Sequence, residues 1–270
     1  ALESSLEQKT KLVFIQRSCG YSWRPSLSIK EIEKLCKFIH TKDRNIICFV
    51  DNCYGEFVEE EEPCAVGADL IAGSLIKNLG GTIVPSGGYI AGRKQLVEQA
   101  CCRLTSPGIG SEGGGGFDLN RLVLQGLFLA PQMVSEALIG ADLFCGVFHE
   151  LGFPVSPAMG EQRSDVIQAV RFNSPQALKV VCRSLQSCSP VGSYLDPVPA
   201  ATPGYKNDLL MAGGTFIDGS TSELSADAPL RPPFNLFVQG GTTRSHAKIA
   251  LIRVLVDLVQ AGLITLPQTK

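Results

Sequence analysis

The stretch from residue 46 to residue 94 constrains the fold more than any other part of the chain. It reads IICFVDNCYGEFVEEEEPCAVGADLIAGSLIKNLGGTIVPSGGYIAGRK. Two short apolar runs, 46–50 and 69–74, are followed by Asp51 and Lys77, and a third run, 88–91, follows a glycine-rich turn. Apolar runs of this length between turn residues are typical of strands buried on both faces. Ligands of α/β sheets bind outside the carboxyl ends of the strands, so we expect Asp51 and Lys77 at the mouth of one crevice.

The residues before this stretch complete a strand–helix–strand pattern. Residues 11–17 predict a strand, and Ser28 followed by Glu31 forms a capping box that predicts a helix to about His40. The chain then turns into the strand that ends at Asp51. Such a unit favours an α/β fold with a parallel strand pair and a right-handed crossover.

The remaining residues predict a long helix followed by a second unit of mixed structure. The predicted helices are 93–104, 117–148 with a break near Pro131, 175–186 and 245–261 with a cap at Thr242 or Thr243; the predicted strands are 165–171, 209–217 and 235–239. Strands and helices that follow a separate sheet indicate a second, smaller α+β domain.

Composition narrows the functional classes. With 270 residues and 44% hydrophobic residues, the chain can bury a sizeable core, and its net charge of −2 argues against a nucleic-acid partner. The most apolar tract, 122–148, is interrupted by polar residues and proline, so we predict no membrane span. Ten cysteines without a CxxC pair, and three histidines, predict no disulfide framework and no metal site. A reducing, cytoplasmic location follows, or a plastid if the source is a plant.

A carboxylate and a lysine that converge on a crevice suit pyridoxal phosphate. The lysine would form the Schiff base, the carboxylate would keep the pyridine nitrogen protonated, and Ser74 could bind the phosphate. Two simpler interpretations stay open, because an aspartate at a strand end is common in turns and a lysine is commonly solvated.

Three motifs raise the weight of the cofactor hypothesis. DNCY at 51–54, GADLIAGSLIKNLGG at 67–81 and GGYIAG at 87–92 resemble the Cys/Met-metabolism family of fold-type I pyridoxal phosphate enzymes, which includes methionine γ-lyase and the cystathionine lyases. The amino-acid sequences of 16–27 and 213–234 are most similar to the aluminium-resistance branch of that family, a predicted carbon–sulfur lyase. The resemblance covers essentially the whole chain.

The resemblance implies a fold and a set of residue roles. The fold would be that of the aspartate aminotransferase-like enzymes, with residues 1–120 as the C-terminal part of the large, cofactor-binding domain and 121–270 as the interdomain helix and small domain. The implied roles are Lys77 as the Schiff-base lysine, Asp51 on the pyridine nitrogen, Ser74 on the phosphate and Arg231 on the substrate carboxylate, with Arg17 and Arg244 as alternatives. Cys53 stands where the wider family has threonine.

The resemblance also implies a reaction and an assembly. The reaction would be elimination from a sulfur-containing amino acid, which gives a thiol, a keto acid and ammonia, in a homodimer or homotetramer. The family carries a further segment before this point, with a phosphate-binding loop and an aromatic residue that stacks on the cofactor. We therefore expect a fragment or truncated product, and the alternative is a non-catalytic homologue that acts as an oligomerisation or regulatory partner.

Two other stretches carry weaker signals. Glu56 and the run 59–62 predict a solvated acidic loop. Gly108, Gly110 and Gly113 spell GxGxxG, but they follow a predicted helix and not a strand. We therefore predict a mobile loop, either a joint or a lid, in preference to a dinucleotide-binding site.

Overall fold

The first sheet is built from the stretch that organises the sequence. The computed structural model describes residues 6–7, 9–114, 116, 118–213 and 223–266. Its first sheet has the order β1 (Leu12–Gln16), β2 (Ile47–Asp51), β3 (Leu70–Ser74) and β4 (Gly88–Gly92). The first three strands are parallel and β4 is antiparallel to β3. The predicted parallel pair is confirmed, and the sheet as a whole is mixed.

Helix α1 (Ile29–Lys42) connects β1 to β2. The capping box is present: Glu31 N–H donates to Ser28 Oγ at 3.3 Å, and Ser28 N–H donates to Glu31 Oε2 at 2.8 Å. Apolar residues at helical spacing, Ile29, Ile32 and Ile39, are buried against one face of the sheet. The core of this unit therefore lies between α1 and the sheet.

The other face of the first sheet is less covered than the sequence suggested. Phe14 on β1 is 57% exposed, and Leu12 is exposed beside it. Within the described residues, α1 covers only one side of β1. The prediction of strands buried on both faces, made for 46–50, 69–74 and 88–91, is wrong for β4, where Gly88, Ala91 and Gly92 are exposed.

The second sheet is antiparallel and lies in the C-terminal half. Its order is β5 (Val155–Ser156), β6 (Gln168–Arg171), β9 (Asn235–Gln239), β8 (Ser225–Pro229) and β7 (Leu209–Ala212). The prediction missed β5 and β8, and the part of the predicted strand 209–217 from residue 214 onward lies outside the described residues. Helices α4 (Pro175–Ser187) and α5 (Arg244–Gln260) pack with this sheet around one apolar core. Thr243 caps α5, because its Oγ1 accepts the His246 N–H at 3.1 Å.

Two further helices, α2 (Lys94–Leu104) and α3 (Asn120–Glu150), connect the sheets. The predicted break near Pro131 is wrong, because Pro131 lies inside a continuous α3. The proline has no N–H to donate to the carbonyl of Leu127, but both residues are exposed, so water can bind that carbonyl.

Helix α3 is long and apolar enough to cross a membrane by length and composition alone, although the sequence argued against a span. Its buried side chains nonetheless pack inside the protein. Val134 and Ala137 contact Val166, while Phe144 and Phe148 enter the core of the second sheet. These contacts account for the buried apolar residues of α3, whereas Leu124, Leu127 and Phe128 near its start are exposed.

Candidate active site

Asp51 and the turn to Lys77 lie at one edge of the first sheet. β2 and β3 are parallel neighbours, with Asp51 paired to Ala72, so their carboxyl ends point the same way. Asp51 is the last residue of β2, and its Oδ1 accepts the Cys53 N–H at 3.1 Å. Lys77 follows β3 after a two-residue gap. The topology thus brings the two predicted residues to the same edge.

The electrostatic surroundings of Cys53 show that these groups share one neighbourhood. Burial raises the pKa of the Cys53 thiol to about 11, the positive charge of Lys77 opposes this rise, and the carboxylates of Asp51 and Glu56 add to it. The interaction of one thiol with Lys77 and both carboxylates indicates a compact, charged crevice. At neutral pH Cys53 remains a thiol in it.

The Lys77 side chain lies over the ring of Tyr54. Its Nζ is 4.2 Å from the ring centroid, which is a cation–π geometry. Tyr54 has a left-handed backbone with φ of 70° in the turn after Asp51. Burial raises the pKa of the Tyr54 hydroxyl further above its ordinary value. A narrow cavity beside this pair is lined by Asn78, Met133, Val134, Ala137, Val166 and Gly240.

The turn after Lys77 touches the backbone of α3. A Cβ on Gly81 would lie 2.3 Å from the Gly126 carbonyl oxygen, and a Cβ on Gly126 would lie 2.4 Å from that of Gly80. Asn78 fixes the same turn, because its Nδ2 donates to the Glu56 carbonyl at 3.0 Å. Glycine is required on both sides of this contact, since any side chain would push the helix away from the turn.

Ser74 is the last residue of β3 and lies at the same edge as Asp51. Its Oγ accepts the N–H of Ile76 at 3.3 Å, so it bonds within the turn that leads to Lys77. A hydroxyl retains its own proton to donate in this arrangement. Nothing in these contacts tests the predicted phosphate role, which stays a prediction.

Arg231 lies at the surface of the second half. Its Nη2 donates to the Tyr21 carbonyl at 2.8 Å, and none of its hydrogen bonds among the described residues reaches Asp51 or Ser74. The two alternative arginines are held in ion pairs. Arg244 binds Glu136 through its side chain at 2.6 Å, and Arg17 is fully buried. Arg231 is therefore the most available of the three, but the structure does not bring it to the Lys77 crevice through a described contact.

Glu56 is a buried residue of the crevice that the sequence prediction missed. It is 1% exposed, and its Oε1 accepts the Tyr89 hydroxyl at 2.9 Å. Its Oε2 has no hydrogen-bond partner in the described part of the chain. Burial raises the pKa of this carboxyl to about 7, even though the Tyr89 hydroxyl and the charge of Lys77 favour its ionised form. Glu56 is thus poised to exchange a proton near neutral pH.

The acidic run behind Glu56 is only partly a solvated loop, so that prediction is wrong in part. Glu59 and Glu62 both bind the buried Arg17, at 3.1 and 3.3 Å. Glu59 also accepts the Ile29 N–H at the start of α1, at 3.0 Å. Glu60 and Glu61 are exposed, as predicted. The cause is Arg17, since a guanidinium that is taken out of water requires carboxylates beside it.

The packing around Glu56, and not its local sequence, explains its burial. Glu56 is separated from the run 59–62 by two apolar residues and follows Gly55 directly. A Cβ on Gly55 would lie 2.5 Å from Arg17 Cδ, so this glycine marks a tightly packed turn. Gly73 on β3 is equally constrained: a Cβ added there would lie 2.5 Å from Tyr89 Cε1 and 2.6 Å from Glu56 Oε1. The close contacts at Gly55 and Gly73 show that the turn around Glu56 is tightly packed in the folded chain.

The mixed α/β fold places Asp51 at the end of one parallel strand and Lys77 shortly after the next. Comparison with known proteins identifies the family. A family model for methionine gamma-lyase matches residues 1–259. The chain belongs to this methionine gamma-lyase family, which confirms the predicted family.

Two solved structures that are similar to this chain carry the name of the predicted branch. YnbB of Bacillus subtilis is 47% identical over 264 residues, 98% of this chain and 63% of the relative. A proposed cystathionine beta-lyase involved in aluminium resistance, from Listeria innocua, is 45% identical with a TM-score of 0.89, and the match covers 94% of this chain and 62% of that one. A carbon–sulfur lyase involved in aluminium resistance, from Clostridium novyi, is 47% identical with a TM-score of 0.85, over 92% of this chain and 58% of that one. The chain thus spans about three fifths of the length of these relatives.

Proposed function

We propose that this chain carries the lysine site of a pyridoxal phosphate-dependent carbon–sulfur lyase that acts on a sulfur-containing amino acid. One observation carries the proposal: Asp51 ends β2, and Lys77 follows the parallel neighbour β3 after two residues, so both stand at one edge of the sheet. The proposal includes the finer fold assignment, with residues 1–120 in the large domain and 121–270 in the interdomain helix and small domain. A homodimeric or homotetrameric, cytoplasmic enzyme is part of it.

The residues present fit this cofactor. A carboxylate, a hydroxyl and an amine stand in sequence along one sheet edge, in Asp51, Ser74 and Lys77. Glu56 adds a buried carboxylate oxygen with no hydrogen-bond partner among the described residues, which is an acceptor in need of a proton or a ligand group. This donor and acceptor set matches a basic ring nitrogen, a phosphate and an aldehyde.

Each residue has a separate task in this proposal. When bound, pyridoxal phosphate supplies an electron sink for the pair of electrons left on the substrate α-carbon. Asp51 would hold a proton on the ring nitrogen, and Ser74 would donate to the phosphate. Lys77 Nζ would take the proton from the substrate α-carbon, and Arg231 would bind the substrate carboxylate through its guanidinium fork.

Tyr54 and Glu56 would position Lys77. The Tyr54 ring holds the Nζ from one side at 4.2 Å. Glu56 can carry or release a proton near neutral pH, and its charge acts on Lys77. An ionised Glu56 favours the protonated amine and a protonated Glu56 favours the free amine, which is the form that accepts a proton. Glu56 would therefore couple the reactivity of Lys77 to pH.

The test is a visible spectrum of the purified chain with pyridoxal phosphate, before and after borohydride, followed by peptide mass mapping. We expect an absorption band that borohydride removes and a reduced adduct on Lys77. Lys77→Ala should lose the band, whereas Lys94→Ala, which changes an exposed lysine on α2, should keep it. Thiol release from cystathionine and from methionine would then be measured separately.

The outcomes separate the two candidate functions. A band in Lys77→Ala equal to that of the unchanged chain would contradict the role of Lys77. A folded chain with no band would favour the second candidate, a non-catalytic oligomerisation partner. The exposed apolar face of β1 supports that second candidate, because Leu12 and Phe14 offer a surface for a second copy of the chain.

A further inference from the structure

A second cluster of polar and sulfur-containing side chains lies at the opposite edge of the first sheet. Cys48 is the second residue of β2, and Asp69 directly precedes β3. Cys36 and His40 approach them from α1, one helical turn apart, so both project from the same face of the helix. This Cys36–Asp69 cluster is at the amino ends of the strands, whereas Asp51 and Lys77 are at the carboxyl ends. It does not belong to the candidate active site.

The distances within the cluster are those of a small coordination site. His40 Nε2 is 3.0 Å from Asp69 Oδ2, and Cys48 Sγ is 3.6 Å from His40 Nε2. One ligand atom from each of His40, Cys48 and Asp69 lies within 4.8 Å of the others. Cys36, one helical turn before His40 on α1, is buried in the same core cluster as Cys48. Tetrahedral zinc, with bonds of about 2.0 Å to nitrogen or oxygen and 2.3 Å to sulfur, requires ligand atoms roughly 3.3–3.8 Å apart.

The cluster is buried but has a path to solvent. Cys36, Cys48 and Asp69 are buried, while the side chain of His40 is 25% exposed. His40 and Cys36 line a groove of about 760 Å³ that opens between the end of α1 and the turn at Gly67. A hydrated ion could enter there and lose its water to ligands already held by a helix and two strands.

The surroundings of the cluster orient the ligands. The Cys48 N–H donates to Asp69 Oδ2 at 2.8 Å, and Arg93 donates to the other oxygen, Oδ1, at 3.1 Å. A site made of two thiolates, one carboxylate and a divalent cation has a net charge of −1, which the positive charge of Arg93 can offset. Hydrogen bonds of this kind from outside the coordination sphere fix the orientation of metal ligands.

We propose that Cys36, His40, Cys48 and Asp69 form a binding site for one zinc ion or a similar thiophilic divalent cation. Binding displaces the protons of the two thiols to solvent and replaces the hydrogen bond between His40 and Asp69 with bonds to the metal. The proposed site departs from the sequence expectation of no metal site, which rested on the absence of a CxxC pair and on the presence of only three histidines. Its ligands come from three elements of the first sheet unit, so no short motif could reveal them.

Cobalt titration tests the site directly. The chain would be purified with a phosphine reductant, stripped of metal with a chelator, and titrated with Co²⁺ in the visible and near ultraviolet. We expect one Co²⁺ per chain, with a sulfur-to-metal charge-transfer band and the intense visible bands of a tetrahedral site. One equivalent of Zn²⁺ should displace the cobalt and remove both bands.

Variants assign the ligands. Cys36→Ser and His40→Ala should each weaken Co²⁺ binding on the order of 100-fold or more. Loss of a hydrogen-bond partner outside the coordination sphere already lowers metal affinity about 10–100-fold. Cys101→Ser and His149→Ala, which change residues of the same types on α2 and α3, should leave the titration unchanged. Circular dichroism of each variant controls for folding.

The Co²⁺ titration of the unchanged chain tests the proposed metal site even if a variant fails to fold. A folded, reduced chain without a sulfur-to-cobalt band overturns the proposal and leaves the cluster as a hydrogen-bonded core. Equal binding by Cys36→Ser and the unchanged chain would also overturn it. Neither result bears on pyridoxal phosphate binding at Lys77, so the two proposals fail separately.

Discussion

The largest buried side chains behind the two sheets differ in kind. Behind the carboxyl end of the first sheet lie a fully buried arginine, Arg17, and a buried carboxyl, Glu56, each with one atom lacking a hydrogen-bond partner among the described residues. The second sheet instead covers an apolar core in which Phe148 contacts the rings of Phe153 and Phe172. Apolar burial stabilises without directional demands, whereas buried charges cost free energy unless every group is satisfied. The second sheet also buries the polar side chains of Ser225, Asp227 and Gln239, so the contrast is one of proportion, and its apolar core is the larger of the two.

The largest expected effect lies in the second sheet. Phe148→Ala should lower the free energy of unfolding by about 3–5 kcal/mol, because it removes a buried ring and leaves a cavity. Phe128→Ala, on the same helix but 84% exposed, should change it by less than about 0.5 kcal/mol. Urea unfolding followed by circular dichroism measures both. Equal losses for the two variants would show that the described core does not carry the stability of this half.

An intermediate effect, which depends on pH, is expected in the first sheet. Burial raises the pKa of folded Glu56 from 4.5 to about 7, so the folded state holds this proton more tightly than the unfolded state. Stability should therefore be highest below the unfolded pKa and fall as pH rises through 7, by at most about 3 kcal/mol.

Glu56→Gln keeps the shape of the side chain and removes this titration. Between pH 5 and pH 8, the unchanged chain should lose about 1–3 kcal/mol more than the variant. Glu61→Gln, an exposed neighbour, should follow the unchanged chain. Chemical unfolding at a series of pH values measures this difference, and parallel pH profiles for all three would contradict the assignment of Glu56.

The smallest expected effects compare two glycines. Gly73→Ala should cost about 1–3 kcal/mol, because its Cβ would lie 2.6 Å from Glu56 Oε1 and overpack the crevice. Gly146→Ala on α3 should instead stabilise by about 0.5–1 kcal/mol, since its Cβ meets only Met159 Sδ at 3.6 Å and alanine favours a helix. Thermal unfolding under identical conditions gives both signs. A stabilising Gly73→Ala would show that the crevice is looser than described.

Local chemistry made much of the fold predictable. The Ser28–Glu31 capping box and the apolar runs before Asp51 and Ser74 are local signals, and each lies where the sequence placed it. The break at Pro131 was wrong because a proline disrupts a helix only where its missing hydrogen bond cannot be replaced. β8 was missed because SADAP has neither alternation nor bulk; its small residues are buried between neighbouring strands.

The site was predictable only where one residue marks it. Asp51 and Lys77 follow apolar runs, so the sequence alone predicts them as site residues. Glu56 became a site residue through contacts with Tyr89, which is 33 positions away. The environment of Glu59 and Glu62 depends likewise on Arg17, 42 and 45 positions away. Burial of a charge is a property of the assembled fold, and no local pattern encodes it.

The backbone contact between the Gly80–Gly81 turn and Gly126 gives α3 a mechanical role. With no side chain between them, neither segment can shift without moving the other. The same helix enters the core of the second sheet through Phe144 and Phe148. The Lys77 turn is therefore packed directly against the helix that also contributes to the core of the second sheet, so the placement of the lysine depends on both halves of the chain.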